Sequence, residues 1–281
     1  MTNLGKNTKV IEQADHGGFK IEVIEYSSLE GSRDIAVSQA LFFANQAGIR
    51  LKMVRITLVE SEAILEAGSL YMLKGRIDIT SKAGGKGGIG GLAKGIATRV
   101  LTNETVFRPA YKGTGEIYLE PSFGHFLLYR LEAKQSLIVD KGMFYCCEGS
   151  VNVSVAMQSH LSAGVLGGEG LFQTKVAGPG ICVLASPVPS SEVIFYDLND
   201  EKLQVDGNFA LMRTEGIRFS VQKSTKGIIG SMTSGEGLLQ TFEGTGRVWV
   251  APTQAVYDQI RDPLALARMA RSGGTSNTAV R

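Results

Sequence analysis

The chain contains few of the residues that disulfides, secretion and membrane insertion require. Its 281 residues include three cysteines. Three cysteines cannot build a disulfide framework, and adjacent Cys146 and Cys147 rarely bridge each other, so we expect reduced thiols and a cytoplasmic protein. The first 18 residues hold no apolar signal core, and no segment approaches the ~18 apolar residues of a membrane-spanning helix. Any membrane contact is therefore expected to be peripheral.

Catalytic and ligand-binding motifs are also scarce. The three histidines form no H-x-H pair, and no G-x-S-x-G motif is present. Residues 85–90 match G-x-G-x-x-G, but that motif binds dinucleotides only between a strand and a helix of a βαβ unit. We therefore predict no catalytic residue, no metal site, no cofactor and no enzymatic activity.

The charge balance argues against nucleic acid as a partner. The net charge is +2, and Lys and Arg do not alternate with aromatic residues along any segment. Binding of RNA to the surface of a ring is the weakest of the functions that we consider.

Glycine, in contrast, is abundant and proline is not. The chain has 35 glycines, about 12% of its residues against about 7% in average proteins, and seven prolines. Apolar residues alternate with polar ones between the glycine clusters, which is typical of half-buried strands joined by tight turns. The clearest alternations are at residues 19–23, 77–79, 151–155 and 217–221.

A short segment occurs three times. Residues 104–115, 169–180 and 236–246 each run from a glutamate to a Gly-Thr-Gly or Gly-Pro-Gly triplet, at spacings of about 65 and 66 residues. Such a period indicates one structural unit that is used repeatedly. Because glycine adopts left-handed conformations without strain, we expect each triplet to reverse the chain. A further turn is expected at Asp206-Gly207, and a helix is expected from Asp262-Pro263 onward.

The recurring glutamates and two histidines are the candidate site residues. The interpretation that we favour is structural: the glutamates accept hydrogen bonds from backbone N–H groups in the neighbouring glycine-rich loops, and the histidines are partly buried. The alternative is a small-molecule-binding protein or a hydrolase in which these groups meet in a cleft between units. The candidates are Glu104, Glu169, Glu236, His125 and His160.

These features together resemble the family named for altered inheritance of mitochondria. The resemblance covers about residues 35–255 and is carried by Gly168-Glu-Gly-Leu-Phe172, by Gly235-Glu-Gly-Leu-Leu239, by the glycine triplets and by the Gly-Gly linkers. Asn103-Glu-Thr-Val-Phe107 lacks the glycines of the pattern. The resemblance implies a fold similar to the tryptophan RNA-binding attenuation protein, in which double-stranded β-helix modules pack into rings or pseudo-symmetric trimers. Eukaryotic relatives are linked to the mitochondrial inner membrane, and the resemblance implies no catalytic residues.

We therefore predict an all-β protein with three repeated, double-stranded β-helix-like modules in one pseudo-symmetric body and a short C-terminal helix. The predicted boundaries are an N-terminal tail at 1–14, a three-module domain at 15–255 (modules at about 15–118, 119–183 and 184–255) and a C-terminal helix and tail at 256–281. The predicted function is that of a non-enzymatic scaffold or interaction protein. We expect it to form homo-oligomers, to bind a further protein partner and to contact membranes peripherally through the apolar tips of its glycine-rich loops.

Overall fold

A computed structural model describes residues 4–83, 107–157, 172–223 and 238–261. Within these ranges the chain forms fifteen strands, two helices and one short 3-10 helix at Ser190–Glu192. The helices are α1 (Ile35–Gln46) and α2 (Pro252–Arg261). The strands are β1 (Thr8–His16), β2 (Phe19–Tyr26), β3 (Lys52–Leu65), β4 (Leu70–Ala83), β5 (Phe107–Leu119), β6 (His125–Leu131), β7 (Ser136–Val139), β8 (Phe144–Glu148), β9 (Asn152–Met157), β10 (Phe172–Ala177), β11 (Gly180–Ser186), β12 (Ile194–Asp206), β13 (Ala210–Thr214), β14 (Ile217–Lys223) and β15 (Leu238–Val250).

The strands form two antiparallel sheets. The eight-stranded sheet has the order β1-β2-β3-β8-β11-β6, with β5 also paired to β3 and β4 paired to the far side of β5. The seven-stranded sheet has the order β12-β15-β13-β7-β10-β9, with β14 also paired to β15. The all-β class that the sequence predicts is confirmed, and a short helix, α2, follows the last strand.

Three apolar clusters account for most of the core. One lies within the eight-stranded sheet and includes the fully buried Phe19 and Ile56. A second lies within the seven-stranded sheet around Phe219 and Phe242, whose rings are 5.1 Å apart. The third, which we call the central core, takes residues from both sheets, among them Cys147, and therefore holds the two sheets together.

Two of the three glycine triplets do not reverse the chain, contrary to the prediction. Gly113-Thr114-Gly115 lies inside β5 and Gly244-Thr245-Gly246 lies inside β15, and both strands continue through the triplet. Gly113 and Gly244 have φ values of 144° and 128°, which residues with a side chain rarely adopt, and the facing strands β3 and β12 each carry an extra residue there, a bulge at which the strand pair bends. Strands on both sides pair with β5 and with β15. The backbone groups of these strands are therefore bonded to neighbours, and the chain continues past each triplet instead of turning back.

Opposite each bend, the partner strand contains a residue in the left-handed conformation. Glu60 in β3 has φ 48° and faces the triplet of β5, and Asp200 in β12 has φ 56° and faces the triplet of β15. The N–H of Glu60 donates to Thr114 Oγ1 over 3.0 Å, and the N–H of Asp200 donates to Thr245 Oγ1 over 3.1 Å. At each bend, the threonine of the triplet therefore links its own strand to the facing strand.

The second triplet, Gly178-Pro179-Gly180, connects strands in different sheets. It follows β10 of the seven-stranded sheet and leads into β11 of the eight-stranded sheet. Lys134, with φ 70°, lies between β6 and β7 on the facing side, and Gly178 N–H donates to Gln135 O over 2.9 Å. This triplet therefore carries the chain from one sheet to the other.

The structure differs from expectation at four further places. Strand β1 covers much of the segment 1–14, for which the sequence predicts a tail. Helix α1 was not predicted, and α2 ends at Arg261, so the helix predicted from Asp262 lies outside the described residues. Asp206-Gly207 is followed by β13 as expected, but β12 and β13 lie on opposite sides of β15 and do not form a hairpin.

Candidate interaction surfaces

Helix α1 is built from a segment with strong end signals and almost no charge. Asp34 caps its first turn, since Asp34 Oδ1 accepts a hydrogen bond from Val37 N–H over 3.0 Å. Gly48, with φ 74°, follows its last turn, where a left-handed residue commonly ends a helix. None of the twelve helical residues is charged, so the helix carries no polar face of ionic side chains.

No residue of α1 is buried. Ile35 is 87% exposed, and Phe42 and Phe43, whose rings meet edge to face at 5.6 Å, are 58% and 60% exposed. A groove of about 370 Å³ lies between α1 and the rest of the chain, with Phe123 and Ile49 in its wall. Exposed apolar residues gathered in this way mark surfaces that contact another molecule.

Strand β4 forms one open edge of the eight-stranded sheet. Over residues 70–80 it pairs with β5 alone among the described strands, so its other backbone edge has no strand beside it there. Tyr71, Met72 and Ile79 are exposed along this strand. Met72 and Leu73 also border a groove of about 690 Å³, with Met53 and Tyr118 beyond them. An exposed edge of this length is able to accept a further strand.

Strand β12 is an open edge of the seven-stranded sheet. It pairs with β15 over its whole length, and no other described strand lies beside it. Ile194, Phe195 and Tyr196 are exposed at its start. Arg247 lies over the ring of Phe195 at 4.1 Å and binds Asp197 through two hydrogen bonds. Side-chain contacts therefore join this exposed end of β12 to β15.

Buried polar groups in the two sheets have structural partners. Glu148 accepts a hydrogen bond from Ile181 N–H over 3.2 Å and lies 2.8 Å from His16 Nδ1. Burial lowers the pKa of Arg213 to about 10, and its guanidinium donates to Gln173 Oε1 over 2.7 Å. These contacts anchor strands to one another and do not surround a cavity of ligand size.

Among the predicted site residues, the structure describes His125 alone. His125 begins β6 opposite Ser186 of β11. Burial lowers its pKa, Lys52 lowers it further and Glu192 opposes both, so the imidazole is neutral at pH 7. His160, Glu104, Glu169 and Glu236 lie outside the described residues. Whether these groups meet in a cleft stays a prediction.

Metal ligands and membrane-spanning helices are not found in the part of the chain that the structure describes. In these ranges, no three His, Cys, Asp or Glu side chains come together in a group that could hold a metal ion. Neither of the two described helices is long and apolar enough to cross a membrane.

Burial raises the pKa of Cys146 and raises that of Cys182 to about 12, so these thiols are protonated at neutral pH.

The surfaces described above were not identified from the sequence. The uncharged segment 35–46 between Asp34 and Gly48 was a readable signal for an apolar helix. The two open edges have no comparable signal, because the same alternation of side chains occurs in strands with one neighbour and in strands with two.

Three comparisons place the chain among known proteins. Residues 22–253 match the model of the family described as Mitochondrial biogenesis AIM24. An uncharacterized protein of Streptococcus pyogenes serotype M6 is 24% identical over 220 residues, which are 76% of this chain and 86% of that protein. The crystal structure of protein SPYM3_0169 from Streptococcus pyogenes is similar with a TM-score of 0.52 and 19% identity, over 76% of this chain and 94% of that one. This likeness shows a shared fold.

Proposed function

The chain belongs to the Mitochondrial biogenesis AIM24 family, and from this premise we propose that it is a non-enzymatic scaffold that self-associates. The observation that carries the proposal is the two long edge strands, β4 in one sheet and β12 in the other, each of which pairs with a single neighbour among the described strands. Single-domain proteins usually protect long edges against pairing. An edge that stays open is suited to bind a strand of another molecule through backbone hydrogen bonds.

The scaffold consists of three copies of one unit. The first copy is β3, β4 and β5, the second is β6 to β11, and the third is β12 to β15. Support comes from the pairing of the first and last strands of each copy. Ala63 lies opposite Tyr111, Leu137 opposite Val176 and Leu203 opposite Phe242. The left-handed residues Glu60, Lys134 and Asp200 each precede the first member of these pairs by the same interval.

Self-association is tested by size-exclusion chromatography with light scattering across a range of protein concentrations. The expected mass is a multiple of the 30.1 kDa chain. A mass of one chain at the highest concentration would overturn the proposal, because the open edges would then stay open.

A peripheral membrane contact is a second candidate, favoured by the exposed apolar side chains of α1. Aromatic and aliphatic residues at this position can enter the boundary between headgroups and acyl chains. We expect the protein to sediment with phosphatidylcholine–cardiolipin vesicles and the double variant F42S/F43S to lose most of that binding. The matched control is I260S, which removes an exposed apolar residue from α2. Wild-type protein that stays in the supernatant would exclude this candidate.

A further inference from the structure

Neighbouring copies of the unit meet twice within the chain at the same register. Strand β3 of the first copy pairs with β8 of the second, and β7 of the second copy pairs with β13 of the third. Both residues of each pair in the second contact lie one repeat after the corresponding residues of the first contact. The pairs are Ala63↔Glu148, Ile64↔Cys147 and Leu65↔Cys146 in the first contact, and Leu137↔Thr214, Ile138↔Arg213 and Val139↔Met212 in the second.

Backbone hydrogen bonds at the ends of the two contacts are also one repeat apart. Glu66 N–H donates to Tyr145 O over 2.8 Å in the first contact, and Asp140 N–H donates to Leu211 O over 2.9 Å in the second. At the other ends, Gly149 N–H donates to Glu62 O over 2.7 Å, and Glu215 N–H donates to Ser136 O over 3.3 Å. The two contacts are therefore alike in direction, register and bonding.

The same repeat defines a third contact, between β12 of the third copy and β4 of the first. Within one chain this contact is not made, because β12 and β4 belong to different sheets. We propose that β12 of one molecule pairs antiparallel with β4 of a second molecule, and this rests on the proposed self-association of three-copy chains. The register places Leu203 opposite Lys74, Gln204 opposite Leu73 and Val205 opposite Met72.

The charges of the two strands favour this partner over a like strand. Strand β12 carries four acidic residues and one lysine, and residues 70–80 of β4 carry two basic residues and one acidic residue. Continuing the register by two positions brings Arg76 beside Glu201. Two β12 strands side by side would instead place acidic residues against one another, which destabilises a strand pair.

The contact is head to tail, since it joins two different edges. A molecule that contributes β4 to one contact can still contribute its own β12 to a second contact, so further copies add in the same direction. Such contacts give a closed ring if the rotation between copies closes and an open filament if it does not. The sheet of one molecule then continues into the sheet of the next.

Disulfide capture between two different variants tests the contact. Opposed residues of an antiparallel pair have Cα atoms about 4.5–5.5 Å apart, which suits a disulfide. The variants L73C and Q204C carry different tags and are mixed under mild oxidation. The native cysteines are all buried and serve as a built-in control in the wild type. The mismatched control is I79C mixed with Q204C, because Ile79 lies well away from Leu73 on the same exposed strand.

The expected result is a cross-linked species of one L73C chain and one Q204C chain, formed in the mixture and absent from either variant alone. Cross-linking of L73C with itself would show a like-edge contact and overturn the head-to-tail arrangement. A disulfide within one chain of the double variant L73C/Q204C would also overturn it. No cross-link in the mixture has the same consequence, even where light scattering shows that the wild type self-associates, which leaves the proposed function standing.

A proline at the same edge gives a second measurement. Tyr145 O and Gly149 N–H both point to β3, so the backbone groups of Cys147 between them do so too, and Leu73 is the equivalent residue in β4. The variant L73P therefore removes a donor that points away from β5. We expect a folded protein by circular dichroism whose mass falls to that of one chain. A folded L73P variant that keeps the wild-type mass contradicts the proposed pairing.

Discussion

The bends in β5 and β15 are made by the same three residues in two different surroundings. At Gly113-Thr114-Gly115 the neighbouring strand β4 runs past without a break, and a Cβ atom on Gly113 would lie 2.2 Å from Arg76 O. At Gly244-Thr245-Gly246 the neighbours are β13 and β14, which are separate strands, and a Cβ atom on Gly244 would lie 3.0 Å from Gly216 O. The triplet determines that the strand bends, whereas the neighbouring strand determines how much space the bend has.

The threonines at the two bends also differ in the hydrogen bonds that they make. Thr114 Oγ1 accepts from Glu60 N–H and donates to Glu60 Oε1 over 2.7 Å, so backbone and side chain of one residue hold it. Thr245 Oγ1 accepts from Asp200 N–H over 3.1 Å. The side chain of Glu60 therefore adds a hydrogen bond at the first bend, whereas at the second bend Thr214 Oγ1 accepts from Arg247 N–H over 3.0 Å, and the predictions below compare the two sheets.

The largest difference is expected between buried arginines of the two sheets. In the eight-stranded sheet, Arg55 binds the buried carboxylate of Glu22, with Nη2 and Nε at 2.7 and 2.8 Å from Oε2. The variant R55M should lower the free energy of unfolding by about 3 kcal/mol, because the carboxylate loses its main partner. In the seven-stranded sheet, Arg213 binds neutral acceptors, and R213M should cost about 1 kcal/mol. Urea denaturation measures both, and equal losses would contradict the contrast.

The next largest difference is expected at the bends themselves. The variant G113A should lower the free energy of unfolding by about 3 kcal/mol, since both the positive φ and the approach to a carbonyl oxygen oppose a side chain. The variant G244A meets the same φ penalty with more space and should cost about 1–2 kcal/mol. Urea midpoints at constant m-value give the comparison. If G244A lowers the free energy of unfolding more than G113A, the neighbouring strand does not determine how much the substitution destabilises the protein.

The smallest effect is expected from the thiols, which lie in strands of the eight-stranded sheet. Burial raises the pKa of Cys182 from 9.0 to about 12. The unfolded chain therefore loses this proton first as the pH rises, and the stability that burial of the neutral thiol contributes is complete below pH 9 and is lost between pH 9 and about pH 12. Compared with wild type, C182A should lose less stability between pH 8.5 and 10.5 in urea titrations. If C182A keeps the wild-type pH dependence, a group other than Cys182 causes the loss of stability in this pH range.

The sequence was most informative where strands alternate regularly. The segments around Phe19, Ile77 and Ile217 are strands, as their period of two predicts. The spacing of the repeated segment also recurs in three of the strand pairings. The triplets were misjudged because the conformational freedom of glycine permits a bend and a reversal equally, and the choice depends on partner strands that are distant in sequence.

The candidate surfaces divide in the same way. Helix α1 could have been predicted from its cap at Asp34, its uncharged residues and Gly48, which are local signals. The open edges of β4 and β12 could not, because an edge is defined by the absence of a neighbour, and neighbours in these sheets come from strands that are far away in the sequence. The order of strands in a sheet is a property of the whole chain.

By itself the sequence determined that this protein is made of strands punctuated by glycine, because side-chain alternation and backbone freedom act over a few residues. The tertiary structure alone decided which strands lie side by side, where the bends are tight and which strands, β4 and β12 among them, have a single neighbour within the described ranges. Those outcomes depend on long-range backbone pairing and on the packing of the central core between the sheets.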